Sequence, residues 1–473
     1  MLKKMKDKVW IKYYVNGVLN ESVTFKDIKS RIQNKKNIFI SSQLTEGDRV
    51  IVKMNNSVEA VVNYLALSEI GIVSVPVSPT DSKIRIDYII KDCKPKAIIF
   101  EDDSLKIIKN NLVRNNKKYC NMNTIIYTSG TTGVPKGVCL SLDNWRNNAN
   151  SLIKHHKLNE KTILATPLPI LHCNAHGLGM YATYFSKSTL VLFDKVSDNF
   201  LDVITKEKVN IASVVPSVLS KLLSSKKDFK AHKDFKYFLT AAAPLSGDLL
   251  TDIIIHWNVK VIQGYGLTES TNFSCTVPID LPNNVYKKVM FPHPSIGVEL
   301  DGVHINIKKQ GNSDFGELSI KSSSNSLGYW NKDVSGRKIV DTGDIGYYKI
   351  IEGRKFFYLR GRKKELINRG GEKIYPLELE SEIRNFGLNI DFHVISINDD
   401  IFGEEIAVVV LEEFDFAILV KVPYFRRPKK VFKIKNFCVG PTGKVQRAKM
   451  STICKDPKEA KIIWEDEKYK NRN

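Results

Sequence analysis

The most informative stretch of this sequence is Tyr127-Thr-Ser-Gly-Thr-Thr-Gly-Val-Pro-Lys-Gly-Val138, which follows a short apolar run at residues 124–127. Glycines let the backbone turn tightly and approach an anion closely. Hydroxyls and exposed amide groups of such a loop can bind phosphate oxygens, and Lys136 adds a positive point charge. The stretch therefore predicts a polyphosphate-binding loop.

The loop does not have the spacing of a Walker loop, in which a lysine directly follows the second glycine and opens a helix. Here Gly130 and Gly133 lie closer together, and Pro135 precedes Lys136. Proline disfavours a helix through this point, so the loop is expected to cover a nucleotide rather than cap a helix. A surface turn rich in Gly, Ser and Thr is the alternative, but it leaves the density of hydroxyls before Pro-Lys-Gly unexplained.

The length predicts at least two domains, because 473 residues exceed what one core usually supports. Hydrophobic residues make up 42% of the chain and charged residues 26%, as in ordinary globular proteins. Apolar stretches stay shorter than a membrane span, and the start lacks the apolar core of a signal peptide. The sequence therefore predicts a cytoplasmic protein without a membrane span.

The net charge of +21 raises the question of an acidic partner such as nucleic acid. The lysines are spread along the chain, as an AT-rich coding background would give, without an aromatic-interleaved platform for single strands. We therefore expect no nucleic-acid partner. The seven cysteines include no Cys-x-x-Cys pair, which argues against a disulfide framework or a zinc site.

The residues before the loop alternate strand-like and helix-like patterns. Val50 begins an apolar run, residues 57–70 have helical spacing that ends at Gly71, and residues 72–77 are again strand-like. Residues 142–158 after the loop are also predicted to be helical. This rhythm predicts a largely parallel sheet with crossover helices.

Two later turns follow predicted strands. In residues 237–246, Tyr-Phe-Leu-Thr-Ala-Ala-Ala-Pro-Leu-Ser, small side chains would let a planar ring lie against the backbone. In residues 261–270, Val-Ile-Gln-Gly-Tyr-Gly-Leu-Thr-Glu-Ser, Tyr265 stands between two glycines, and Thr268 and Glu269 follow. A carboxylate beside a phosphate loop suits Mg²⁺, which takes one or two carboxylates plus phosphate oxygens.

Three more motifs complete the order. Asp344 ends Asp-Thr-Gly-Asp, where a carboxylate after a tight turn suits the hydroxyls of a ribose. Residues 359–380 contain two short strand-like runs around Arg369-Gly-Gly, and Pro376 then opens a helix. Lys444 lies on the glycine-flanked stretch Gly440-Pro-Thr-Gly-Lys-Val-Gln-Arg447, from which it can reach into a cleft.

In this order the motifs, which span residues 127–447, resemble those of the adenylate-forming (AMP-binding) superfamily. The wording Gly264-Tyr-Gly-Leu-Thr-Glu269 is most similar to the acyl-/aryl-CoA ligase branch. The resemblance implies an α/β fold with a large multi-subdomain N-terminal domain, residues 1–360, built on mainly parallel sheets. It also implies a small, mobile α+β C-terminal domain, residues 361–473, with a hinge near Lys364.

The resemblance also implies a role for each motif residue. The phosphates would be bound by Thr128, Ser129, Gly130, Thr131, Thr132, Gly133 and Lys136; adenine by Ala242, Ala243 and Tyr265; ribose by Asp344 and Arg362; and the pantetheine would pass Gly371. As catalytic residues, Thr268 would contact the α-phosphate, Glu269 would hold Mg²⁺, and Lys444 would bridge the carboxylate and the α-phosphate. His172 matches a histidine at the mouth of the family's acyl pocket, although His172 and His176 can equally be polar packing.

These inferences predict an acid–thiol ligase, an ATP-dependent carboxylate–CoA ligase that forms an acyl-adenylate and needs ATP, Mg²⁺ and CoA. The alternatives are an acyl-AMP ligase that loads the phosphopantetheine of an acyl carrier protein, and a pseudo-enzyme that only binds nucleotide. The basic segment 426–435 suits either acceptor. The acid pocket is expected to be assembled from residues 166–178, 211–219 and 241–275. Lys260 is the only lysine or arginine in these pocket segments, which favours an acid with an uncharged tail. The stretch between Glu405 and Tyr424 is shorter than the usual family pattern.

Overall fold

The computed structural model describes residues 7–108, 121–128, 134–225, 228–309, 313–332, 336–388, 390–440 and 445–470. The chain divides into two compact units, the first Met1–Ile305 with Ile320–Val340 and the second Asn306–Ser319 with Asp341–Asn473. The expected domain boundary near residue 360 falls within the second unit, and the hinge at Lys364 stays a prediction. Residues 129–133 and Lys444 lie outside the described residues.

The larger sheet of the first unit is parallel in its centre. Its strands, side by side, are Val298–Glu299, Phe273–Thr276, Lys260–Gly266, Tyr237–Thr240, Ile211–Val214, Ile163–Thr166, Thr189–Phe193, Val9–Val15 and Val18–Thr24. Pairing is parallel from Lys260–Gly266 across to Val9–Val15 and antiparallel at both margins. The central strands are almost wholly buried, as parallel strands covered on both faces should be.

A second sheet of the first unit contains the strands on either side of the predicted phosphate loop. Its strands, side by side, are Gly328–Tyr329, Lys136–Ser141, Met122–Thr128, Val73–Val77, Arg49–Lys53, Ala97–Ile99 and Leu105–Ile107. The pairs from Met122–Thr128 to Ala97–Ile99 are parallel, and the others are antiparallel. The loop therefore joins an antiparallel pair at one side of a parallel core.

The helices of the first unit cover these sheets, and several begin at polar caps. Ser57 caps one helix by accepting a hydrogen bond from the Ala60 amide, and Ser141 caps another in a capping box with Asn144. Both helices were predicted at these places. The helices are Phe25–Ser41, Val58–Glu69, Lys83–Cys93, Leu142–His156, the π-helix Ala175–Ala182, Thr183–Ser186, Phe200–Lys206, Pro216–Ser224, Gly247–Trp257, the 3₁₀ turn Thr268–Ser270 and Asn283–Met290.

The second unit combines short helices with mainly antiparallel strands. One sheet, most of which belongs to this unit, contains Val303–Lys309, Gly316–Ser322, Ile339–Ile351 and Arg354–Arg362. The other contains Glu372–Ile374, Ile367–Arg369, Gly403–Val410, Lys430–Ile434 and Ala460–Glu465, with Phe392–Asp399 paired to Gly403–Val410. Its helices are Pro376–Asn385, Ala417–Val420, Arg447–Ile453 and Glu467–Lys470.

The short stretch between Glu405 and Tyr424 still completes a core. It holds the end of strand Gly403–Val410 and the helix Ala417–Val420, whose Leu419 is fully buried with Val408 and Val431. The first unit and the α+β second unit together confirm the predicted α/β fold class with mainly parallel sheets.

Candidate active site

The predicted adenine-binding residues follow neighbouring strands at one edge of the larger sheet. Strands Tyr237–Thr240 and Lys260–Gly266 run parallel, with Thr240 opposite Gln263. Their carboxyl ends therefore lie side by side, where open α/β sheets usually bind ligands. The turn with Ala242 and Ala243 thus emerges beside Tyr265.

Local backbone geometry explains why this edge carries small residues. Ala242 has a φ of 70°, in the left-handed region that side chains other than glycine rarely adopt. Gly266 admits no side chain, because a Cβ there would lie 1.7 Å from the Asn272 carbonyl oxygen. Tyr265 is buried and pairs with Cys275 on the adjacent antiparallel strand. The backbone here is closely packed, and Ala242 is exposed at its surface.

Thr268 and Glu269 begin the 3₁₀ turn after strand Lys260–Gly266. The Thr268 Oγ1 lies 3.8 Å from the Cys173 Sγ. The backbone of Glu269 is fixed by the Ser326 amide, which donates to its carbonyl oxygen at 2.8 Å. Its carboxylate accepts a hydrogen bond from the Tyr329 hydroxyl at 2.9 Å. The turn therefore presents a hydroxyl and an oriented carboxylate next to each other.

Lys136 approaches the same tyrosine from the phosphate-loop strands. Lys136 begins its strand opposite Thr128, and Tyr329 pairs with Val138 two positions further on. The Lys136 Nζ lies 5.6 Å from the centroid of the Tyr329 ring. Tyr329 thus stands between the Lys136 cation and the Glu269 carboxylate, and the first unit brings Thr128, Lys136 and Glu269 into one neighbourhood.

The state of Tyr329 follows from these neighbours. Burial and the adjacent Glu269 carboxylate raise the pKa of the Tyr329 hydroxyl to about 12. Tyr329 is therefore a neutral hydrogen-bond donor throughout the physiological pH range. Sequence reasoning missed Tyr329 and its neighbour Arg337, because Tyr329 reaches the site by pairing with a strand about 190 residues earlier in the chain.

The two histidines after strand Ile163–Thr166 are both neutral at physiological pH. Burial lowers the pKa of His172 and of His176 to about 4. The His176 Nδ1 donates to the Ile170 carbonyl oxygen at 2.9 Å, and its ring packs against Tyr64 and Trp145. His176 therefore serves as polar packing, as a fully buried residue of the π-helix Ala175–Ala182, an element that the sequence did not predict.

In the second unit, Asp344 and Arg362 lie opposite each other on paired strands. The Arg362 Nε is 2.9 Å from the Asp344 Oδ1, and Asp344 is 5% exposed. The Asp344 amide donates to the Thr342 Oγ1 at 3.0 Å, after Gly343 with a φ of 71°. The Asp344 carboxylate, an acceptor, thus lies beside the Arg362 guanidinium, a donor. This pair matches the two hydroxyls of a ribose, which can both donate and accept.

Gly371 lies in a separate turn of the second unit, between strands Ile367–Arg369 and Glu372–Ile374. Gly370 and Gly371 have φ values of 57° and 95°, so both occupy the left-handed region. A Cβ on Gly370 would meet the Phe402 ring at 2.8 Å, whereas a Cβ on Gly371 would meet nothing within 4 Å. Gly371 therefore borders open space on a turn that Gly370 anchors.

Most cations of the basic segment 426–435 already form ion pairs within the second unit. Arg426, Arg427, Lys430 and Lys433 lie within 4 Å of carboxylates of Glu382, Asp466, Glu465 and Glu413, respectively. Lys429 is fully buried, and burial lowers the pKa of its amine to about 8. The expectation that this segment attracts an acidic acceptor is weakened accordingly.

The described residues contain neither a membrane-spanning helix nor a preformed metal cluster. Over the described ranges, helices fall short of the length and apolar character needed to cross a membrane. In the same part of the chain, His, Cys, Asp and Glu side chains do not gather in threes as a ready-made metal site. The described cysteines are all free thiols.

Comparison with known proteins identifies the class. The chain belongs to the AMP-binding enzyme family, whose sequence profile matches residues 2–120 and 115–330. The long-chain-fatty-acid–CoA ligase FadD13 of Mycobacterium tuberculosis is 26% identical over 91% of this chain and 93% of its own. ATP-bound MatB from Rhodopseudomonas palustris has the same fold, with a TM-score of 0.81, 24% identity, and coverage of 95% of this chain and 96% of its own.

The o-succinylbenzoate–CoA synthetase MenE of Bacillus subtilis, solved with ATP and a magnesium ion, also has this fold. Its TM-score is 0.79 at 21% identity, with coverage of 94% of this chain and 97% of its own. The family profile and the FadD13 relative confirm the predicted superfamily, its acyl-/aryl-CoA ligase branch and the enzyme class, an acid–thiol ligase. The two solved structures show the shared fold.

Proposed function

We propose that this protein is an ATP-dependent carboxylate–CoA ligase that works through an acyl-adenylate and releases AMP and pyrophosphate. The observation that carries the proposal is the convergence of Glu269, Lys136 and Tyr329 beside the carboxyl ends of the parallel strands. A relative named as a CoA ligase that aligns with 91% of the chain supports it.

In the first half-reaction a carboxylate oxygen of the acid attacks the α-phosphorus of ATP, and pyrophosphate leaves with the electrons of the broken bond. The protein's contribution is to position the groups and to stabilise the developing charge. Ala242, Ala243 and Tyr265 would hold adenine, while Asp344 and Arg362 would hold the ribose. Thr268 would donate to the α-phosphate, and Lys444 would neutralise the attacking carboxylate and this phosphate.

A magnesium ion fits the donor set at Glu269. The site offers one oriented carboxylate rather than a protein cage, and Mg²⁺ is commonly held by one or two carboxylates plus phosphate oxygens. When bound, the ion would neutralise charge on the phosphates. Glu269 would be its protein ligand, and Tyr329 would keep the carboxylate turned towards it. The ATP and magnesium in the structure of MenE support this assignment.

In the second half-reaction the thiol sulfur of a pantetheine attacks the acyl carbon of the adenylate, and AMP leaves. The small domain would rotate about Lys364 between the half-reactions, withdrawing Lys444 and presenting Gly371. The open space beside Gly371 supports a path for the pantetheine arm. CoA is the proposed acceptor, because the sequence of the Gly264–Glu269 motif and the named relatives both favour it.

We propose an acid with an uncharged tail. Lys260, the only lysine or arginine of the expected pocket segments, stands at the amino end of its strand, away from the carboxyl edge. Its Nζ donates to the Leu281 carbonyl oxygen at 3.1 Å. The pocket segments therefore supply no cation to a second acidic group on the substrate.

The deciding experiment is carboxylate-dependent ATP–pyrophosphate exchange over a panel of fatty, aryl, dicarboxylic and amino acids. Exchange with one class of uncharged-tail acid would support the proposal, and thioester formation with CoA but not with a carrier protein would fix the acceptor. Folded protein that binds ATP but gives no exchange with any acid of the panel would contradict the proposal and favour a nucleotide-binding pseudo-enzyme.

A further inference from the structure

The Arg337 side chain lies against the Tyr329 ring beside the proposed metal ligand. The Arg337 Cζ is 4.2 Å from the ring centroid, a distance at which a guanidinium stacks on an aromatic face. The Arg337 amide donates to the Ser326 carbonyl oxygen at 3.0 Å, and the Ser326 amide in turn donates to the Glu269 carbonyl oxygen. Backbone and side chain thus both tie Arg337 to the Glu269 turn.

The charges around this ring are uneven. The cations Lys136 and Arg337 both lie within 6 Å of the Tyr329 centroid, whereas Glu269 supplies the carboxylate, through the tyrosine hydroxyl. Within the described residues, ion pairs engage other arginines, such as Arg31 and Arg360, but none is formed by Arg337. Among the described residues, the neighbourhood therefore has two cations and one carboxylate.

A guanidinium is the side chain best suited to a phosphate, because its planar fork donates two parallel hydrogen bonds. Stacking on Tyr329 holds this fork in place and lowers the entropy lost when it binds an anion. The Arg337 side chain is only half-buried, so a ligand can still reach its guanidinium.

We propose that Arg337 binds the pyrophosphate part of the nucleotide, so that the leaving group meets two cations, Lys136 and Arg337. The proposal rests on the proposed function, since it takes the ligand to be ATP. Arg337 then favours departure of pyrophosphate by stabilising the negative charge that accumulates on it. It leaves the AMP moiety untouched.

The test is a comparison of affinities for ATP and for AMP, measured by calorimetry in Mg²⁺ buffer on the full chain. Arg337→Gln should weaken ATP binding by about 10- to 100-fold, the range expected for hydrogen bonds to a charged group, and change AMP binding by less than about twofold. Arg337→Lys keeps the charge but loses the fork, so it should lie between wild type and Arg337→Gln. The matched control is Lys338→Gln, which removes an exposed neighbouring cation and should match wild type in both affinities.

Two results would overturn the proposal: unchanged ATP affinity in Arg337→Gln, or equal losses for ATP and AMP, which would mean that Arg337 only supports the fold around Tyr329. The exchange assay on wild type separates this outcome from a failure of the proposed function. If wild type binds ATP but catalyses no exchange, the proposed ligase function is refuted. The ATP and AMP affinities of wild type and Arg337→Gln can still be compared in that case.

Discussion

The hydroxyl of Tyr329 controls how the Glu269 carboxylate is presented. It donates to one carboxylate oxygen at 2.9 Å and leaves the other for a ligand. Because its pKa is raised to about 12, it keeps its proton wherever the enzyme is expected to work. A fixed donor of this kind orients a metal-binding carboxylate without competing with it for the metal.

Removing that hydroxyl with Tyr329→Phe should raise the KM for Mg·ATP by about 10-fold, since a hydrogen bond to a charged group contributes about 1.5–3 kcal/mol. Glu269→Ala should have a larger effect and should change the Mg²⁺ dependence itself. Exchange kinetics at several Mg²⁺ concentrations measure both. Tyr348→Phe, in the second unit, is the control, and a Tyr329→Phe enzyme with wild-type kinetics would contradict the role of the hydroxyl.

Lys444 belongs to the first half-reaction alone under the proposed mechanism. Lys444→Ala should therefore abolish carboxylate-dependent exchange, by at least about 100-fold, because the charge between carboxylate and α-phosphate is lost. Thioester formation from supplied acyl-AMP should stay within about twofold of wild type. Equal losses in both half-reactions, or exchange that survives, would show that another residue fills this position.

Residue-level prediction from the sequence depended on local motifs. Thr268 and Glu269 directly follow a recognisable strand and glycine-flanked turn in residues 261–270. Their place at the end of that strand was therefore predictable from this short stretch alone. Tyr329 and Arg337 join them only through pairing of Gly328–Tyr329 with Lys136–Ser141. The sequence around Gly328-Tyr-Trp330 holds little that distinguishes an active-site strand from any short edge strand.

At the scale of elements, the Gly370–Gly371 turn depends on a buried ion pair next to it. The Arg369 Nε lies 2.6 Å from the Glu405 Oε1, and these side chains are 7% and 0% exposed. Arg369 also donates from Nη1 to the Phe425 carbonyl oxygen at 2.7 Å, and its guanidinium stacks on Phe402, 4.8 Å from the centroid. Gly370 donates to the Phe402 carbonyl oxygen, so the pair and the turn share one support.

Breaking this pair should impair the thioester step selectively. Arg369→Met leaves Glu405 buried and unpaired, which costs about 3–5 kcal/mol, and frees the turn that presents Gly371. We expect a raised KM for CoA with supplied acyl-AMP, while ATP–pyrophosphate exchange stays near wild type. Half-reaction assays with thermal unfolding check this.

The double variant Arg369→Met, Glu405→Met keeps the prediction testable if the single variant is too unstable, because it removes the uncompensated charge. The control is Arg360→Met, which breaks a different ion pair of the same unit, with Glu378. If both half-reactions decline together in the double variant, the pair only stabilises the fold.

Helices with clear caps were predictable, as those after Ser57 and Ser141 show, because a polar cap and apolar spacing occur within one short window. The hairpin around Arg369-Gly-Gly was also predicted, and its strands, Ile367–Arg369 and Glu372–Ile374, are as short as the predicted runs. The π-helix Ala175–Ala182 was missed. Gly177 and Gly179 pack closely against Asn272 and Thr166, and such tertiary fit leaves no periodic signal in the sequence.

At the scale of the whole molecule, the second unit carries a buried carboxylate that makes its stability depend on pH. Burial alone would raise the pKa of Glu380, but the charge of Arg447, together with His393 and the Val394 amide, lowers it to about 2. The Glu380 Oε1 is 2.7 Å from the Arg447 Nη2 and accepts from the Val394 amide at 2.8 Å. Both donors favour the ionised carboxylate over the neutral acid.

Because the folded pKa lies below the ordinary value of 4.5, the stability from Glu380 is complete above pH 4.5 and is lost as the pH falls towards 2. The loss is on the order of 3 kcal/mol. Hydrogen exchange of strand Phe392–Asp399 should show it as falling protection, corrected for intrinsic rates, while strand Ile211–Val214 of the first unit serves as the internal control. Glu380→Gln should flatten this dependence, and an unchanged slope would contradict the assignment.

The make-up of the second unit depends on contacts between distant parts of the sequence. Length and motif order indicated a large part followed by a small one. The second unit, however, takes up Asn306–Ser319 as well as Asp341–Asn473. Strand Gly316–Ser322 lies between Val303–Lys309 and Ile339–Ile351 in a single sheet, and long-range pairing of this kind has no local signature.

The left-handed backbone of Ala242 carries a consequence for anyone who would redesign this enzyme. An L-residue in that conformation costs about 1–2 kcal/mol, which glycine would not incur. A saturation library at this codon should therefore be enriched in Gly, Asn and Asp and depleted of Val, Ile and Thr, whatever acid is used for selection. Substitution of Ala242 by glycine is thus expected to raise thermal stability, whereas substitutions at this position are not expected to change the substrate specificity.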